Sequence, residues 1–149
     1  MIRVQAESFD VGAEVNAFAA ACGNAGAVVS FTGVVRNTAD KTLDRMVIEH
    51  YPGMTERALT QIETDAKARW ALEGSLIIHR FGELQSGEVI MMVATASAHR
   101  KDAFEAAEFL MDFLKSRAPF WKKELRADGS TWVESKHADE TALDRWSLD

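Results

Sequence analysis

Two groups of cationic side chains lie near the two ends of one segment of the chain, residues 97 to 124, which reads SAHRKDAFEAAEFLMDFLKSRAPFWKKE. His99 and Arg100 stand near its start, in the first turn of a predicted helix, where the exposed amides and the helix dipole are already positive. Cations there are unfavourable unless an anion binds between them, so this pattern is typical of a phosphate or carboxylate site. The alternative is a pair of ordinary solvated side chains, and these two residues alone do not decide.

A second group of cations lies at the other end of the segment and comprises Lys115, Arg117, Lys122 and Lys123. Lys115 and Arg117 fall in the last helical turn, where cations complement the dipole and need no function. Lys122 differs because it follows Phe120 and Trp121 in a segment predicted to be extended. Crowding by other cations and desolvation by aromatic rings would lower its pKa and suit it to act as a nucleophile or proton carrier. An ordinary surface lysine is the alternative.

The two cationic ends are too far apart to bind one small ligand within a single copy of the chain. His99 and Lys115 are sixteen positions apart, which corresponds to about 24 Å along a helix. Either the ends serve separate sites, or one site is assembled across a two-fold dimer. We favour the dimer, in which His99 and Arg100 of one copy face Lys115 and Lys122 of the other.

Local signals place these residues on a helix followed by a hairpin. Ser97 is the predicted N-cap, and Pro119 ends the helix. Asp128 and Gly129 form a hairpin signal between FWKKELR and TWVESK. The apolar stripe of the helix, at spacings of three and four, consists of Ala103, Ala107, Leu110, Met111 and Leu114.

The rest of the chain alternates between predicted strands and helices. Gly33 inside a strand indicates a bulge or a close backbone approach, and Arg36 follows at the end of that strand, where sites are often built. His50 is predicted to be a hydrogen-bonded core histidine, and His79 and Arg80 must point to opposite faces of their strand. Asp10 and Thr55 are the predicted N-caps of two helices, the second ending near Trp70. Predicted strands cover residues 2–5, 27–35, 43–51, 76–81 and 88–96, residues 82–87 form a loop, and a short helix covers residues 139–146.

Composition predicts one domain over residues 1–149, with 47% hydrophobic residues and enough length for a core. Mixed strands and helices with hairpins predict an α+β fold of mainly antiparallel sheet with three main helices. The net charge of −6 argues against a nucleic-acid partner, and the longest nearly apolar run is too short to span a membrane. We therefore expect a soluble, cytoplasmic protein. Cys22 is the single cysteine, on an apolar helix face, and we predict no disulfide, metal or cofactor.

Four motifs recur in order along the chain: FTGVVRN (31–37), EHYPGM (49–54), SAHR (97–100) and LKSRAPFWKKE (114–124). Together they resemble the catalytic large subunit of molybdopterin synthase, and the similarity extends over nearly the whole chain. The resemblance implies a fold of the α/β-hammerhead type. It also implies a homodimer within a heterotetramer, with a small sulfur-carrier subunit at each end.

In that family, the carrier inserts a C-terminal Gly-Gly tail, activated as a thiocarboxylate. Two sulfurs are then transferred to cyclic pyranopterin monophosphate, which yields the dithiolene of molybdopterin. By resemblance, the catalytic residues are Lys115 and Lys122, and the substrate-binding residues are Arg36, His99, Arg100, Lys123 and Glu124.

Two positions depart from the family pattern. Val34 stands where some members carry a lysine, and Lys136 stands where an arginine is common. A lysine at the second position would make any anion contact less bidentate. The alternative function is a non-catalytic module that binds a phosphorylated small molecule or a partner's C-terminal tail.

Overall fold

The computed structural model describes residues 1–38, 41–127, 129–133 and 137–147. The helices are α1 (Val11–Ala21), α2 (Met54–Arg69), α3 (Arg100–Ser116) and α4 (His137–Asp144). The strands are β1 (Ile2–Gln5), β2 (Ala27–Val34), β3 (Arg45–His50), β4 (Leu72–Arg80), β5 (Gly82–Leu84), β6 (Val89–Ser97), β7 (Phe120–Arg126) and β8 (Gly129–Val133). None of the helices in the described part is long and apolar enough to cross a membrane.

The strands form two four-stranded sheets, ordered β1-β4-β6-β2 and β5-β3-β7-β8. All neighbours pair antiparallel except β1 and β4, which are parallel. This confirms the predicted α+β fold with mainly antiparallel sheet. The hairpin of β7 and β8 is also present as predicted, although Asp128 at its turn lies outside the described residues.

Helix α3 packs its apolar stripe onto the first sheet, against β6 and β2. The predicted stripe is largely confirmed, since Ala103, Ala107, Leu110 and Leu114 are buried and only Met111 is partly exposed. This burial anchors the helix along its length. Its C-terminal turn is thereby fixed beside the start of β7, where the second group of cations lies.

The predicted N-cap of α3 is wrong. Ser97 is the last residue of β6, and its buried hydroxyl donates a hydrogen bond to the carbonyl of Ala71 at 3.1 Å. His99 occupies the N-cap position with extended backbone and makes no side-chain capping hydrogen bond. The Ser97 hydroxyl therefore bonds to a residue distant in sequence and, contrary to the local pattern, does not cap the helix.

The other two predicted caps have opposite outcomes. Asp10 does cap α1, because its carboxylate accepts a hydrogen bond from the amide of Ala13 at 3.0 Å. The prediction for Thr55 is wrong, since α2 begins after Gly53 and Thr55 lies inside the helix. Its buried hydroxyl donates to the carbonyl of Tyr51 at 2.8 Å.

The connection between β4 and β6 is more than the predicted loop. β4 and β6 do pair as antiparallel neighbours. Between them, Gly82 has φ +94, a left-handed conformation that glycine adopts readily. There the chain leaves the first sheet, and β5 pairs with β3 in the second. β5 therefore belongs to the second sheet although it directly follows β4 of the first sheet.

The C-terminal segment docks on the body of the protein through Trp146. The Trp146 ring lies 5.6 Å from that of Trp70 and 5.4 Å from that of Phe109, and its indole N–H donates to Asp112. These contacts hold α4 against α3. As a result, Asp139 of α4 lies at the edge of the cleft.

Candidate active site

A cleft of about 720 Å³ opens where the C-terminal end of α3, the start of β7 and the ends of β2 and β8 meet. Two lysines, one histidine and one aspartate supply its titratable side chains among the described residues. Aromatic and apolar side chains form its walls. The residues used below are Phe31, His79, Lys115, Phe120, Trp121, Lys122, Trp132 and Asp139.

Sequence features at the cleft explain its shape. Pro119 follows α3, and β7 begins at the next residue, so Lys115 and Lys122 face one another across the turn. In β2, the strand register shifts between Gly33 and Val34, which confirms the predicted bulge. A Cβ atom on Gly33 would lie only 3.2 Å from Met91 Cγ, so the glycine allows the strand to pack closely against the Met91 side chain.

Lys122 has the perturbed pKa that its sequence context predicts. Burial and, to a smaller extent, the nearby Lys115 ammonium together lower the pKa of Lys122 from 10.5 to about 8, while Asp139 acts in the opposite direction. The residue pairs with Ile48 of β3 and Val133 of β8, so its backbone is held in the middle of the second sheet. An amine with a pKa near 8 exchanges protons readily close to neutral pH.

His79 lines the same cleft, and the sequence analysis did not assign it to the site. Its ring stacks on Phe120 with centroids 3.6 Å apart and an interplanar angle of 14°. Its Nδ1 lies 2.8 Å from the carbonyl oxygen of Arg80. From the sequence, strand alternation indicated only that His79 and Arg80 face opposite sides of the strand. It could not predict that His79 lies in a cleft, because its stacking partner Phe120 is distant in sequence.

The environment of His79 favours the uncharged imidazole. The pKa of His79 is lowered from 6.5 to about 3, and burial is the largest cause. Its hydrogen bond to the Arg80 carbonyl favours the protonated form, but Lys122, His50 and Lys115 oppose it. At neutral pH, the cleft therefore contains two lysines and a neutral imidazole.

His50 is hydrogen-bonded, as predicted, but it is only half-buried and does not belong to the core. Its Nδ1 lies 3.1 Å from the hydroxyl of Thr55, and its ring packs 4.5 Å from that of Phe81 and 6.0 Å from that of Phe120. Phe120 therefore lies between the two histidines. His50 supports the floor of the cleft without lining it.

A second, smaller cavity of about 460 Å³ brings together Arg36 and Glu124, two of the predicted substrate-binding residues. Glu124 and Lys122 are alternate residues of β7, so their side chains point to the same face of the strand. Arg36 is exposed just beyond β2. The two cavities are thus neighbours along one face of the second sheet.

The other three predicted substrate-binding residues line neither cavity. Lys123 points away from Lys122, and its Nζ lies 4.7 Å from the ring centre of Trp132. His99 and Arg100 are exposed at the start of α3, at the opposite end of the helix from Lys115. Within one copy of the chain, they are therefore not part of the cleft, as the helix length predicts.

The departures from the family pattern have different outcomes. Val34 is exposed and lines the main cleft as an apolar residue. Lys136 lies outside the described residues. In the described part of the chain, no group of three or more histidine, cysteine or acidic side chains is arranged to hold a metal ion.

Comparison with known proteins shows the family to which the chain belongs. The family model described as MoaE protein matches residues 4–117. The molybdopterin synthase catalytic subunit of Cereibacter sphaeroides is 59% identical over 145 residues, covering 97% of this chain and 99% of the relative. The chain belongs to the MoaE family of molybdopterin synthase catalytic subunits.

Solved structures support the fold assignment for this MoaE-family chain. The MoaE protein from Burkholderia ambifaria has a TM-score of 0.83 at 46% identity, with 100% of this chain and 99% of that chain covered. A complex of subunits 1 and 2 of molybdopterin-converting factor from Helicobacter pylori has a TM-score of 0.77. It is 20% identical, with 91% of each chain covered, so this second likeness shows a shared fold.

Proposed function

We propose that this chain transfers sulfur from the thiocarboxylated C-terminal Gly-Gly tail of a small sulfur-carrier subunit to cyclic pyranopterin monophosphate, forming the dithiolene of molybdopterin. The single observation that supports this most directly is the cleft shared by Lys115 and Lys122, with the pKa of Lys122 lowered to about 8. Family membership supplies the reaction, and the cleft supplies groups suited to it.

The two lysines have complementary chemical uses. An amine with a pKa near 8 is present in both protonation states near neutral pH, so Lys122 can take up and return protons during the transfer. The neighbouring Lys115 ammonium can bind the anionic end of a tail and stabilise negative charge that develops in the transition state. The sulfur arrives on the carrier, so no cysteine of this chain is required. Cys22 packs beside Gly74, and it does not line the cleft.

The rim of the cleft suits a protein partner. Phe31, Trp121 and Trp132 line it while each keeps more than two fifths of its surface exposed. Exposed aromatic side chains clustered in this way are typical of protein interfaces. The Helicobacter pylori neighbour, a complex of two subunits, is consistent with a carrier subunit docking here.

The pterin phosphate is proposed to bind beside the lysines. Arg36 and Glu124 line the adjoining cavity and offer a cation and a hydrogen-bond acceptor. His99 and Arg100 come from the second copy of a homodimer in this proposal, because they lie at the far end of α3 from Lys115. Lys123 is assigned to the same substrate by resemblance.

The decisive test is sulfur transfer by the purified chain, supplied with thiocarboxylated carrier and cyclic pyranopterin monophosphate. We expect molybdopterin to form, and Lys122→Ala to abolish its formation while leaving a folded dimer. Lys67→Ala is the matched control, because Lys67 is a surface lysine of α2 that lines neither cavity and lies on a different helix from His99 and Arg100. Binding of both ligands without product would favour the non-catalytic module. Normal turnover by Lys122→Ala would remove Lys122 from the mechanism.

The shared site has its own test. His99→Ala and Lys115→Ala are each expected to be inactive as homodimers. After subunit exchange, a mixed dimer carries one site built entirely from unaltered residues, so about half of the mixed dimer's sites should recover. Complete absence of activity after confirmed exchange would argue against a site assembled across the dimer.

A further inference from the structure

The imidazole of His79 is held in one orientation and one tautomer. The side chain is only 5% exposed and is stacked on Phe120. Its Nδ1 lies 2.8 Å from the Arg80 carbonyl oxygen, which can only accept a hydrogen bond. Nδ1 must therefore carry the hydrogen, and in the neutral ring the lone pair is on Nε2.

Nothing in the described part of the chain uses that lone pair. The hydrogen bond of the His79 ring is made by Nδ1, and no partner is found for Nε2 among the described residues. Nε2 is also not among the fully enclosed side-chain atoms that lack a partner. Since His79 lines the main cleft, its free acceptor opens into that cleft. An acceptor in a cleft wall that no described group of the chain uses is available to a hydrogen-bond donor of a ligand.

The surroundings decide which kind of ligand fits. Lys115 and Lys122 favour an anionic group, and the neutral imidazole favours a hydrogen-bond donor close to it. The C-terminus of a peptide supplies both, because a single Cα separates its anionic end from the N–H of its last residue. A phosphate group supplies the charge with weaker donor capacity at neutral pH. A tail of glycines also brings no side chains that the walls would have to accommodate.

We propose that His79 is a specificity-determining residue of this cleft. Its Nε2 accepts a hydrogen bond from the last backbone N–H of a partner's C-terminal tail, while the anionic end of the tail lies between Lys115 and Lys122. The existence of that tail rests on the proposed function, but the hydrogen bond itself can be tested without any turnover.

Three substitutions separate the two nitrogens of the ring. His79→Gln places an amide oxygen near the position of Nε2 and so keeps an acceptor toward the cleft. His79→Asn keeps a donor near the position of Nδ1 and loses that acceptor. His79→Phe keeps the ring stacked on Phe120 and loses both polar atoms. Thermal unfolding of each variant shows whether it folds, and the comparison uses those that do.

The experiment compares two forms of the carrier, one ending in ordinary Gly-Gly carboxylate and one with an ester in place of the last amide. The ester replaces the N–H donor by an oxygen and also weakens the adjoining carbonyl as an acceptor, and the His79 variants separate the first effect from the second. Calorimetric binding to the full chain should be about tenfold weaker for the ester form, the usual value of one hydrogen bond. His79→Phe and His79→Asn should bind the amide form about tenfold more weakly and no longer distinguish the two forms. His79→Gln should retain part of the discrimination.

Several results would overturn the assignment. Equal discrimination by the unaltered chain and by His79→Phe would show that another group accepts the N–H. Weakened binding of cyclic pyranopterin monophosphate by the variants, with unchanged carrier binding, would assign His79 to the pterin instead. An unaltered chain that discriminates without catalysing transfer would contradict the proposed function and leave the His79 contact standing. Transfer without discrimination would contradict the His79 contact alone.

Discussion

His79 and Arg80 are consecutive residues of β4 and are both almost fully buried, but the hydrogen bonding of their polar side-chain atoms differs. Arg80 faces away from the cleft and is 6% exposed. Its guanidinium donates to the carbonyls of Ala6 and Val89, each at 3.1 Å, and to the carboxylate of Glu88 at 3.3 Å. His79 faces the cleft with one nitrogen bonded to the backbone and the other open.

The same contrast holds for the charges on the two faces. The Arg80 cation has an acidic partner in Glu88, whose carboxylate pKa is lowered mainly by a hydrogen bond from the Gln85 amide and also by Arg80. Lys122 has a second lysine beside it, and Asp139 does not offset burial and this repulsion. A buried charge whose partners come from its own chain indicates structure. Neighbouring like charges, one of them partly buried, beside an unused acceptor indicate a site that a ligand completes.

The largest effect is expected from Lys122→Met, which removes the buried cation and keeps most of its volume. Sulfur transfer should fall by at least about 100-fold. The free energy of unfolding near pH 7 should rise by roughly 1 to 3 kcal/mol, because burial of the charged amine disfavours the folded state. Chemical denaturation and the transfer assay measure the two quantities. Loss of activity together with loss of stability would instead make Lys122 a structural residue like Arg80.

Arg80→Met should give the reverse result. It leaves Glu88 and two carbonyl groups without their donor, so the free energy of unfolding should fall by about 3 kcal/mol. Transfer activity per folded molecule should stay within about twofold of the unaltered chain, since Arg80 does not line the cleft. Denaturation curves and activity corrected for the folded fraction test this. A large drop in corrected activity would mean that the two faces of β4 are coupled.

The sequence predicted those parts of the site whose causes are local. The direction of the Lys122 pKa shift could be predicted because Lys115 lies on the preceding helix turn, and the Gly33 bulge follows from one glycine in a strand. The stripe of α3 could be predicted because helical periodicity is local. The separation of His99 from Lys115 needed only the rise of a helix.

The features that sequence reasoning missed depend on distant partners. The Ser97 hydroxyl is taken by Ala71, so it does not cap α3. Residues 82–87 contain β5, because its pairing partner β3 comes from much earlier in the chain. His79 entered the site through its stacking on Phe120, a contact between strands of different sheets. Local patterns contain no information about which of several possible partners a group finds.

Acid should weaken the protein through His79, whose imidazole is uncharged in the folded state. The folded-state pKa of His79, about 3, lies below its ordinary 6.5, so the unfolded chain binds more protons between these values. Its contribution to stability is therefore complete above pH 6.5 and declines as the pH falls toward 3, by up to about 1.4 kcal/mol per pH unit. His79→Phe should show a shallower decline in denaturation curves from pH 6.5 to 4. Parallel curves for both proteins would mean that the imidazole is not kept neutral by folding.

The smallest effect is expected from Arg117→Ala, which concerns a cation next to the cleft that has an acidic partner. Arg117 Nη1 lies 3.1 Å from Glu140, and the two side chains are 54% and 45% exposed. Exposed ion pairs contribute little, so unfolding should change by less than about 0.5 kcal/mol and transfer by less than twofold. Glu140→Ala and the double variant complete a thermodynamic cycle at low and at high salt. A coupling energy that is large, or that persists in high salt, would mean that this ion pair holds α4 and Asp139 against the cleft. An ion pair between residues of the chain would then contribute to the site, and such pairs could no longer be regarded as purely structural.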